Sequence, residues 1–359
     1  MARLMAMLAI AVITVGAPAQ ANPGGASAMR AAVQAFMREQ HLPGGTVAVS
    51  VGGRTIWSQG FGIADVEDGA RATSETMYRT ASMGKPMTAT IAFMLREQGE
   101  LDFSAPVQRY CPRYPTKPWP VTVQELVSHS SGIREPDDAA ELYNTHHYDH
   151  PSDAVDLFAR DPLRFRPGTD FGYSTWNYVL LGCVIEGATG QPLKRIFSGM
   201  LFGPLGMNGT RADDPREIIP GRARGYALVA DQLTIAPWTD MSHKLAAGGW
   251  ITNAHDMLAF MNAWMSGKLV NSADRQLMIT PYKLSDGSTA DNYGMGWFID
   301  RYRGRRFAFH GGGTPGISAI ELMVPDKNVA VIAFFNLQDI AAKPRVDLAK
   351  RLAEIAGAF

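Results

Sequence analysis

Cysteine is scarce in this sequence: Cys111 and Cys183 are the only two thiols in 359 residues. Two cysteines are too few for a thiolate metal site or a disulfide scaffold. An oxidising compartment would allow them to pair, and that alternative stays open. Because Cys183 lies in the apolar run at residues 179–185, we favour a side chain that is buried without a bond.

Net charge is also lacking, since 34 basic residues balance 34 acidic ones. A chain without a charge excess has no field that would attract nucleic acid or an anionic membrane. We therefore expect no nucleic acid as a partner; the motifs described below indicate a small-molecule or peptide-like substrate instead. The sequence does not determine the oligomeric state.

The sequence has no apolar run long enough to span a bilayer comfortably, and the best candidate lies at the beginning of the chain. Arg3 precedes a short apolar stretch at residues 4–16, followed by the small-residue site Ala19-Gln20-Ala21. This pattern predicts a signal peptide at residues 1–21 and export to a periplasm or to the outside of the cell. An uncleaved membrane anchor is the alternative; after cleavage we expect no stable membrane insertion.

Several common catalytic motifs are missing as well. The chain contains no G-x-S-x-G elbow, H-E-x-x-H zinc site or phosphate-binding Walker loop. The histidine-rich residues 146–150 match no usual ligand spacing, so we interpret them as a solvated loop. We predict neither a metal nor a cofactor.

What is present indicates an antiparallel sheet assembled from both ends of the chain. A helix and a Gly52-Gly53 hairpin come first, and a strand meander with a closing helix comes last. The expected helices and strands are at residues 28–40, 45–51, 54–61, 294–300, 306–310, 317–325, 329–336 and 344–355.

The predicted fold class is therefore α/β of the α+β type. The sheet lobe comprises about residues 28–100 and 290–359, and a helical region at about residues 101–289 is inserted between its two halves. A cleft between the two parts is the natural place for a site.

Ser82 and Lys85 form an S-x-x-K motif at the start of a predicted helix that ends near Gly99. Positions i and i+3 share one helix face, so the hydroxyl and the amine can meet. A desolvated lysine can activate a serine, and the free N–H groups at a helix start favour an oxyanion. Because S-x-x-K also occurs by chance, the motif needs partners.

Two other stretches supply candidate partners. Tyr173, two residues before Thr175 in a predicted loop at a helix entrance, can serve as a general base if a cation such as Lys85 shifts it toward phenolate. His310 ends a predicted strand and is followed by Gly311, Gly312 and Gly313. These glycines let a substrate approach the backbone, and Gly313 N–H is a candidate oxyanion donor.

Each of these stretches has a purely structural alternative. Tyr173 can be an ordinary core-edge tyrosine with Thr175 as a helix cap, and the triple glycine can be a simple turn. We interpret residues 244–249, which precede another predicted helix, as a tight backbone approach and therefore as structural.

The order of the motifs resembles the serine β-lactamase and penicillin-binding superfamily, whose pattern is S-x-x-K, S-D-N and K-T-G. The Y-x-T and H-G-G variants found here look like its class C branch. Within that branch the chain is most similar to the mitochondrial serine β-lactamase-like proteins, as an exported bacterial relative. The stretches that carry the resemblance are residues 106–112, 126–133, 161–163, 165–168, 171–175, 178–182, 246–249 and 310–316.

This resemblance implies an antiparallel sheet flanked by helices and an all-helical region. It implies that Ser82 is the acylated nucleophile and that Lys85 and Tyr173 form its proton network. Backbone amides of Ser82 and Gly313 would form the oxyanion hole, and His310 would replace the lysine of the third motif.

Two departures affect the expected activity. Thr175 stands where many class C members have asparagine, and His310 lacks the permanent positive charge of lysine. We therefore favour a peptidase, a D-amino-acid amidase or an esterase over a β-lactamase. The alternatives are a transpeptidase-like acyl transferase and a non-catalytic binding or assembly protein.

Overall fold

The computed structural model describes residues 23–359. The predicted signal peptide and its cleavage site lie outside the described residues. Within residues 23–359, no helix combines the length and the apolar character that a membrane crossing requires.

The main sheet has seven strands in the order β3-β2-β1-β12-β11-β10-β9, and all of its neighbouring strands are antiparallel. The first three strands come from the N-terminal part and the last four from the C-terminal part, which confirms the predicted fold class. Its strands are β1 (Gly44–Val51), β2 (Arg54–Asp65), β3 (Ala70–Arg71), β9 (Phe298–Tyr302), β10 (Arg305–Thr314), β11 (Ile317–Val324) and β12 (Val329–Phe335).

The two halves of the sheet join where β1 pairs with β12. Every residue of β12 is apolar and buried, as expected for a central strand that is covered on both faces. The hairpin between β1 and β2 turns at Gly52 and Gly53, whose φ angles of 58° and 78° are left-handed and therefore favour glycine.

Helices cover both faces of the sheet. Met29, Val33, Phe36 and Met37 form the buried stripe of the first helix, as predicted, and this helix packs with the last helix on one face. The described α-helices are α1 (Pro23–Glu39), α2 (Gly84–Glu97), α3 (Val123–Val127), α4 (Ala139–Leu142), α5 (Thr175–Thr189), α6 (Leu193–Phe197), α7 (Gly203–Leu205), α8 (Leu245–Gly248), α9 (Ala254–Met265), α10 (Ser272–Met278) and α11 (Ala342–Ile355).

The region between the two halves of the sheet is not all helical. It contributes the short strands β5 (Arg211–Ala212), β6 (Tyr226–Val229), β7 (Gln232–Ile235) and β8 (Trp250–Thr252). β8 pairs with β5 and with β4 (Tyr78–Arg79), the strand that leads into the S-x-x-K motif. This pairing ties the start of the motif to the inserted region.

The expectation that Cys183 is buried without a bond is wrong. Cys183 on α5 and Cys111, in the loop before α3, form a disulfide, with Cα atoms 5.6 Å apart. Both residues are also buried in the main core, so the expectation that Cys183 is buried among apolar residues is confirmed. They did not exclude a bond, because the fold brings the loop of Cys111 onto the same helix.

Candidate active site

Ser82 lies in a short 3₁₀-helix, Ala81–Met83, that leads directly into α2. The preceding residue, Ala81, has a φ angle of 46°, a left-handed conformation that is costly for a residue other than glycine. Gly248 approaches so closely that a Cβ at this position would lie 1.8 Å from the Ala81 carbonyl oxygen. Residues 244–249 therefore form a tight backbone approach, as predicted, and they pack directly against the segment that carries Ser82.

Lys85 meets Ser82 as the helical spacing predicted. Its Nζ donates to Ser82 Oγ at 2.8 Å and to the Ala247 carbonyl oxygen at 3.3 Å. The lysine is fully buried, and this burial lowers its pKa from 10.5 to about 7. The Glu135 carboxylate opposes that shift, whereas the Lys244 ammonium adds to it. A lysine with this pKa is partly neutral at physiological pH and can accept a proton from the serine.

Tyr173 also reaches the nucleophile. Its hydroxyl is hydrogen-bonded to Ser82, and its ring centroid lies 5.0 Å from Lys85 Nζ. Burial raises the pKa of Tyr173 well above 10, so the phenol keeps its proton in the free protein. The expected shift toward phenolate is therefore wrong: desolvation raises the pKa of Tyr173 most, the charges of Glu135 and Tyr178 add to this effect, and only the hydrogen bond to Ser82 opposes it.

The Tyr173 segment is held by the stretch at residues 129–135. Gly172 N–H donates to the His129 carbonyl oxygen at 2.9 Å, and Ser174 N–H donates to His129 Nδ1 at 3.2 Å. Thr175 Oγ1 donates to Glu135 Oε1 at 2.9 Å, and its backbone N–H also binds this carboxylate. Thr175 begins α5, but Ser174 occupies the cap position, so Thr175 is not the helix cap.

His310 lies opposite Tyr173 across the cleft, with ring centroids 6.1 Å apart. Its Nδ1 contacts the Gly311 carbonyl oxygen at 2.8 Å, and only 1% of the residue is exposed. Burial, reinforced by Lys85, lowers the pKa of His310 to about 3. His310 is therefore neutral at physiological pH and supplies no positive charge to the cleft.

The three glycines that follow His310 continue strand β10 to Thr314, so the alternative of a simple turn is wrong. They pair with β11 on one side, whereas β9 pairs with β10 only as far as Phe309. The strand edge beyond Phe309 thus has no neighbouring strand among the described residues. A Cβ at Gly312 would lie 2.7 Å from the Thr80 carbonyl oxygen, which explains why this position is a glycine.

Two cavities meet at Ser82 and Gly313, which line both of them. The first, which we call the apolar compartment, has a volume of about 470 Å³. It is walled by Tyr173, Phe298, Phe309, His310, Gly311, Gly312, Ile320, Ala342, Arg345 and Val346.

The second cavity, the polar compartment, has a volume of about 110 Å³. Its charged and hydroxyl-bearing residues are Glu135, Thr175, Lys244 and Thr314. Burial lowers the pKa of Lys244 to about 8, an effect that Glu135 opposes. Burial raises the pKa of Glu135, whereas Lys85 and Thr175 lower it.

Sequence reasoning missed Glu135, Lys244 and Arg345. Glu135 directly follows the residue 126–133 stretch that carried the family resemblance, and Lys244 belongs to a stretch interpreted as structural. Arg345 occupies a position three residues before Leu348 and seven before Leu352, on the buried face of α11. A basic residue in an apolar stripe is the signal that would have found it.

The histidine-rich residues 146–150 remain outside this site. His147 Nδ1 lies 2.8 Å from Asp240 Oδ2, an ordinary side-chain pair. Within residues 23–359, no group of three or more potential ligands is arranged to hold a metal ion.

The geometry defines a serine site with a buried lysine, a tyrosine and a glycine-rich strand. The chain matches the family model described as Beta-lactamase over residues 29–355, and it belongs to that family. This is the family of β-lactamase-like serine hydrolases, and the chain has the mostly antiparallel sheet of the superfamily.

Among curated relatives, the chain is 29% identical to the human serine beta-lactamase-like protein LACTB, mitochondrial, over 80% of this chain and 70% of the relative. It is 28% identical to penicillin-binding protein 4* of Bacillus subtilis, over 84% of this chain and 70% of the relative. Among solved structures, the octameric penicillin-binding protein homologue from Pyrococcus abyssi matches with a TM-score of 0.78 and 25% identity, over 92% of this chain and 77% of that one.

Proposed function

We propose that this protein is an exported hydrolase that cleaves an amide or ester through an acyl-enzyme on Ser82. The observation that carries the proposal is the 2.8 Å contact between Ser82 Oγ and Lys85 Nζ, with a lysine pKa of about 7. A serine needs a nearby base of suitable pKa before it becomes an effective nucleophile.

In the proposed reaction, Ser82 Oγ attacks the substrate carbonyl carbon while neutral Lys85 accepts the serine proton. The negative charge that develops on the carbonyl oxygen is stabilised by the N–H groups of Ser82 and Gly313. The bond to the leaving group then breaks, and the leaving group takes up a proton through the protonated Tyr173. Water then attacks the acyl carbon, the bond from this carbon to Ser82 Oγ breaks, and the proton lost by the water returns to Ser82 Oγ through Lys85, so that the acid is released and Ser82 is restored.

Peptidase, D-amino-acid amidase or esterase activity remains our preferred form of this chemistry. The neutral His310 supports this preference, because the third motif then offers no cation to a β-lactam carboxylate. A screen of β-lactam, ester and D-amino-acid amide substrates tests the preference. Rapid turnover of β-lactams alone would contradict it.

Export is supported by the disulfide between Cys111 and Cys183, since such bonds persist in oxidising compartments. Expression of the full chain in a bacterium, followed by cell fractionation and N-terminal sequencing, tests this part. We expect a periplasmic or secreted product that begins at residue 22.

Mass spectrometry after incubation with a fluorophosphonate tests the acyl-enzyme. We expect one adduct on Ser82, absent from Ser82→Ala and retained in Ser285→Ala, which changes an exposed serine. An adduct on another residue would contradict the proposal. Equal turnover of nitrocefin and p-nitrophenyl esters by the wild type and Ser82→Ala would favour a non-catalytic binding protein.

Acyl transfer to an amine is the second candidate. The edge of β10 beyond Phe309 is open beside Ser82, and an extended acceptor can pair with such an edge. Product analysis in the presence of D-amino acids separates the two reactions. Free acid as the sole product favours hydrolysis, whereas an acylated amine favours transfer.

A further inference from the structure

His129 contacts the backbone on both sides of Tyr173. Its carbonyl oxygen accepts from Gly172 N–H at 2.9 Å, and its Nδ1 accepts from Ser174 N–H at 3.2 Å. The φ angle of His129 is 58°, a left-handed conformation that is uncommon for residues other than glycine. One residue with an unusual backbone conformation therefore holds both neighbours of the tyrosine.

The hydrogen bonds around His129 determine which ring nitrogen carries the proton. A backbone N–H can only donate, so Nδ1, which accepts from Ser174, carries none. Asn177 reinforces this arrangement, because its Oδ1 accepts from Ser131 Oγ at 2.5 Å and its Nδ2 lies 3.0 Å from the same Nδ1. Burial lowers the pKa of His129 well below 6.5. The ring is therefore neutral, with its proton on Nε2.

The His129 ring also packs directly on the Tyr173 ring. The two ring centroids lie 4.4 Å apart, with an angle of 39° between the ring planes. Tyr293 and Tyr178 pack against the same imidazole, with centroids at 4.9 Å and 5.1 Å. Within residues 23–359, the buried Nε2 has no hydrogen-bond partner. The imidazole therefore acts on its surroundings through Nδ1 and through its ring contacts.

Tyr173 depends on such contacts because no regular element carries it. Residues 158–174 contain neither a helix nor a strand. The phenol nevertheless has to reach one point, since its hydroxyl is hydrogen-bonded to Ser82 and protonates the leaving group in the proposed reaction. Proton transfer requires donor and acceptor within hydrogen-bond reach. His129 lines neither compartment beside Ser82, so any effect on the reaction passes through Tyr173.

We propose that His129 is the positioning residue of Tyr173: it fixes the backbone on both sides of the tyrosine and packs on its ring, so that the phenol can protonate the leaving group. This inference rests on the proposed acyl-enzyme on Ser82. Its consequence is selective. Loss of His129 impairs substrates whose leaving group needs a proton and spares substrates whose leaving group departs as a stable anion.

Two esters that share an acyl group test this inference. The leaving group of p-nitrophenyl butyrate departs as a stable anion, whereas the alcohol of ethyl butyrate must take up a proton. Because kcat/KM includes every step up to the loss of the leaving group, the ratio of the two values measures protonation by Tyr173. We expect Tyr173→Phe to lower kcat/KM for ethyl butyrate, relative to p-nitrophenyl butyrate, by about 10²-fold or more.

Two variants of His129 keep its left-handed backbone, because glycine and asparagine both adopt a positive φ. His129→Gly removes the ring and the acceptor, and we expect the same selective loss for ethyl butyrate, about 10²-fold. His129→Asn keeps an acceptor oxygen near the place of Nδ1 and should recover part of this loss. The matched control is His243→Leu, which removes another buried histidine, one that packs on Tyr148 and Trp176, and it should leave the ratio unchanged.

A purely structural role makes a different prediction. If His129 only supports the fold, His129→Gly lowers kcat/KM for both esters equally, and this result overturns the inference. In the double variant His129→Gly, Tyr173→Phe, the ratio should fall no further than in Tyr173→Phe alone, because both changes remove the same proton donor. Additive losses overturn the inference as well. If His129→Gly does not fold, His129→Asn decides: it should lower the ratio through the lost ring contact, and an unchanged ratio is contrary to the inference.

The position of Tyr173 provides a measurement that needs no turnover. If the wild type hydrolyses neither ester, the proposed function fails, and crystal structures then decide the role of His129. We expect the Tyr173 hydroxyl to contact Ser82 in the wild type and to be displaced from it in His129→Gly. A hydrogen bond to Ser82 that is retained in the variant overturns the inference, even if Ser82 proves to be an active nucleophile.

Discussion

The two compartments that meet at Ser82 differ in how their charges are compensated. In the polar compartment, the Glu135 carboxylate lies among Thr175, Lys85 and Lys244, so opposite charges offset one another. In the apolar compartment, Arg345 faces aromatic and aliphatic side chains with no described carboxylate partner. The polar compartment thus combines groups that tune one another's protonation, whereas the cation of the apolar compartment donates only to backbone carbonyl oxygens among the described residues.

Lys85 is hydrogen-bonded to Ser82, which lines both compartments, and its removal should have the largest effect. We expect Lys85→Met to lower kcat/KM for p-nitrophenyl butyrate by about 10²–10⁴-fold, the usual range for loss of a general base. Lys244→Met, which removes a cation from the polar compartment alone, should cost much less, because Lys244 Nζ donates to the Leu142 carbonyl oxygen at 3.4 Å and makes no described hydrogen bond to Ser82. Equal losses of kcat/KM in the two variants would show that Lys85 is no more important for activity than Lys244.

Glu135→Gln tests whether the polar compartment tunes protonation. A hydrogen bond to a charged group contributes about 1.5–3 kcal/mol. Because glutamine keeps only one acceptor oxygen, loss of one of the two contacts to Thr175 should lower kcat/KM by about tenfold to hundredfold. Wild-type activity should rise with pH through an apparent pKa near 7, as Lys85 loses its proton.

The direction of the pH shift in this variant is fixed by the charges. The Glu135 carboxylate favours protonated Lys85 and raises the pKa of the lysine. Its removal should therefore move the rising limb of the kcat/KM profile to lower pH. A profile that is unchanged, or that moves to higher pH, would show that Glu135 does not act on Lys85.

Adjacent glycines on β10 allow a matched test of the apolar compartment. Gly312→Ala places a Cβ 2.7 Å from the Thr80 carbonyl oxygen, and such overpacking should lower the free energy of unfolding by about 1–3 kcal/mol. Gly311→Ala meets only ordinary contacts with Arg345, so its stability should change little. Thermal denaturation of both variants measures the difference in stability. Equal destabilisation would contradict the close approach of the Thr80 backbone to Gly312 and the open surroundings of Gly311.

Loss of the disulfide should lower the stability of the protein without changing the two compartments beside Ser82. Because the bond closes a loop with a sequence separation of 72, replacing Cys111 and Cys183 with alanine should lower the free energy of unfolding by about 2–5 kcal/mol. The ratio of the kcat/KM values for ethyl butyrate and p-nitrophenyl butyrate should stay the same. A changed ratio would show that the position of α5 influences the cleft.

Sequence periodicity was sufficient to predict the sheet, because its strands alternate with clear turns and its first helix has a regular apolar stripe. Periodicity did not predict every strand boundary: β10 was expected to end at His310, but it continues to Thr314. Glycine lowers strand propensity, but here pairing with β11 keeps the glycine run extended.

The sequence by itself determined the contact between Ser82 and Lys85, because three residues along a helix fix the distance between them. The order of the later motifs predicted that Tyr173 and His310 would join them. Only the tertiary structure decided which protonation state each group has, since that depends on burial. It also decided that Cys111 meets Cys183 and that Arg345 reaches the cleft, because these contacts join residues far apart in the chain.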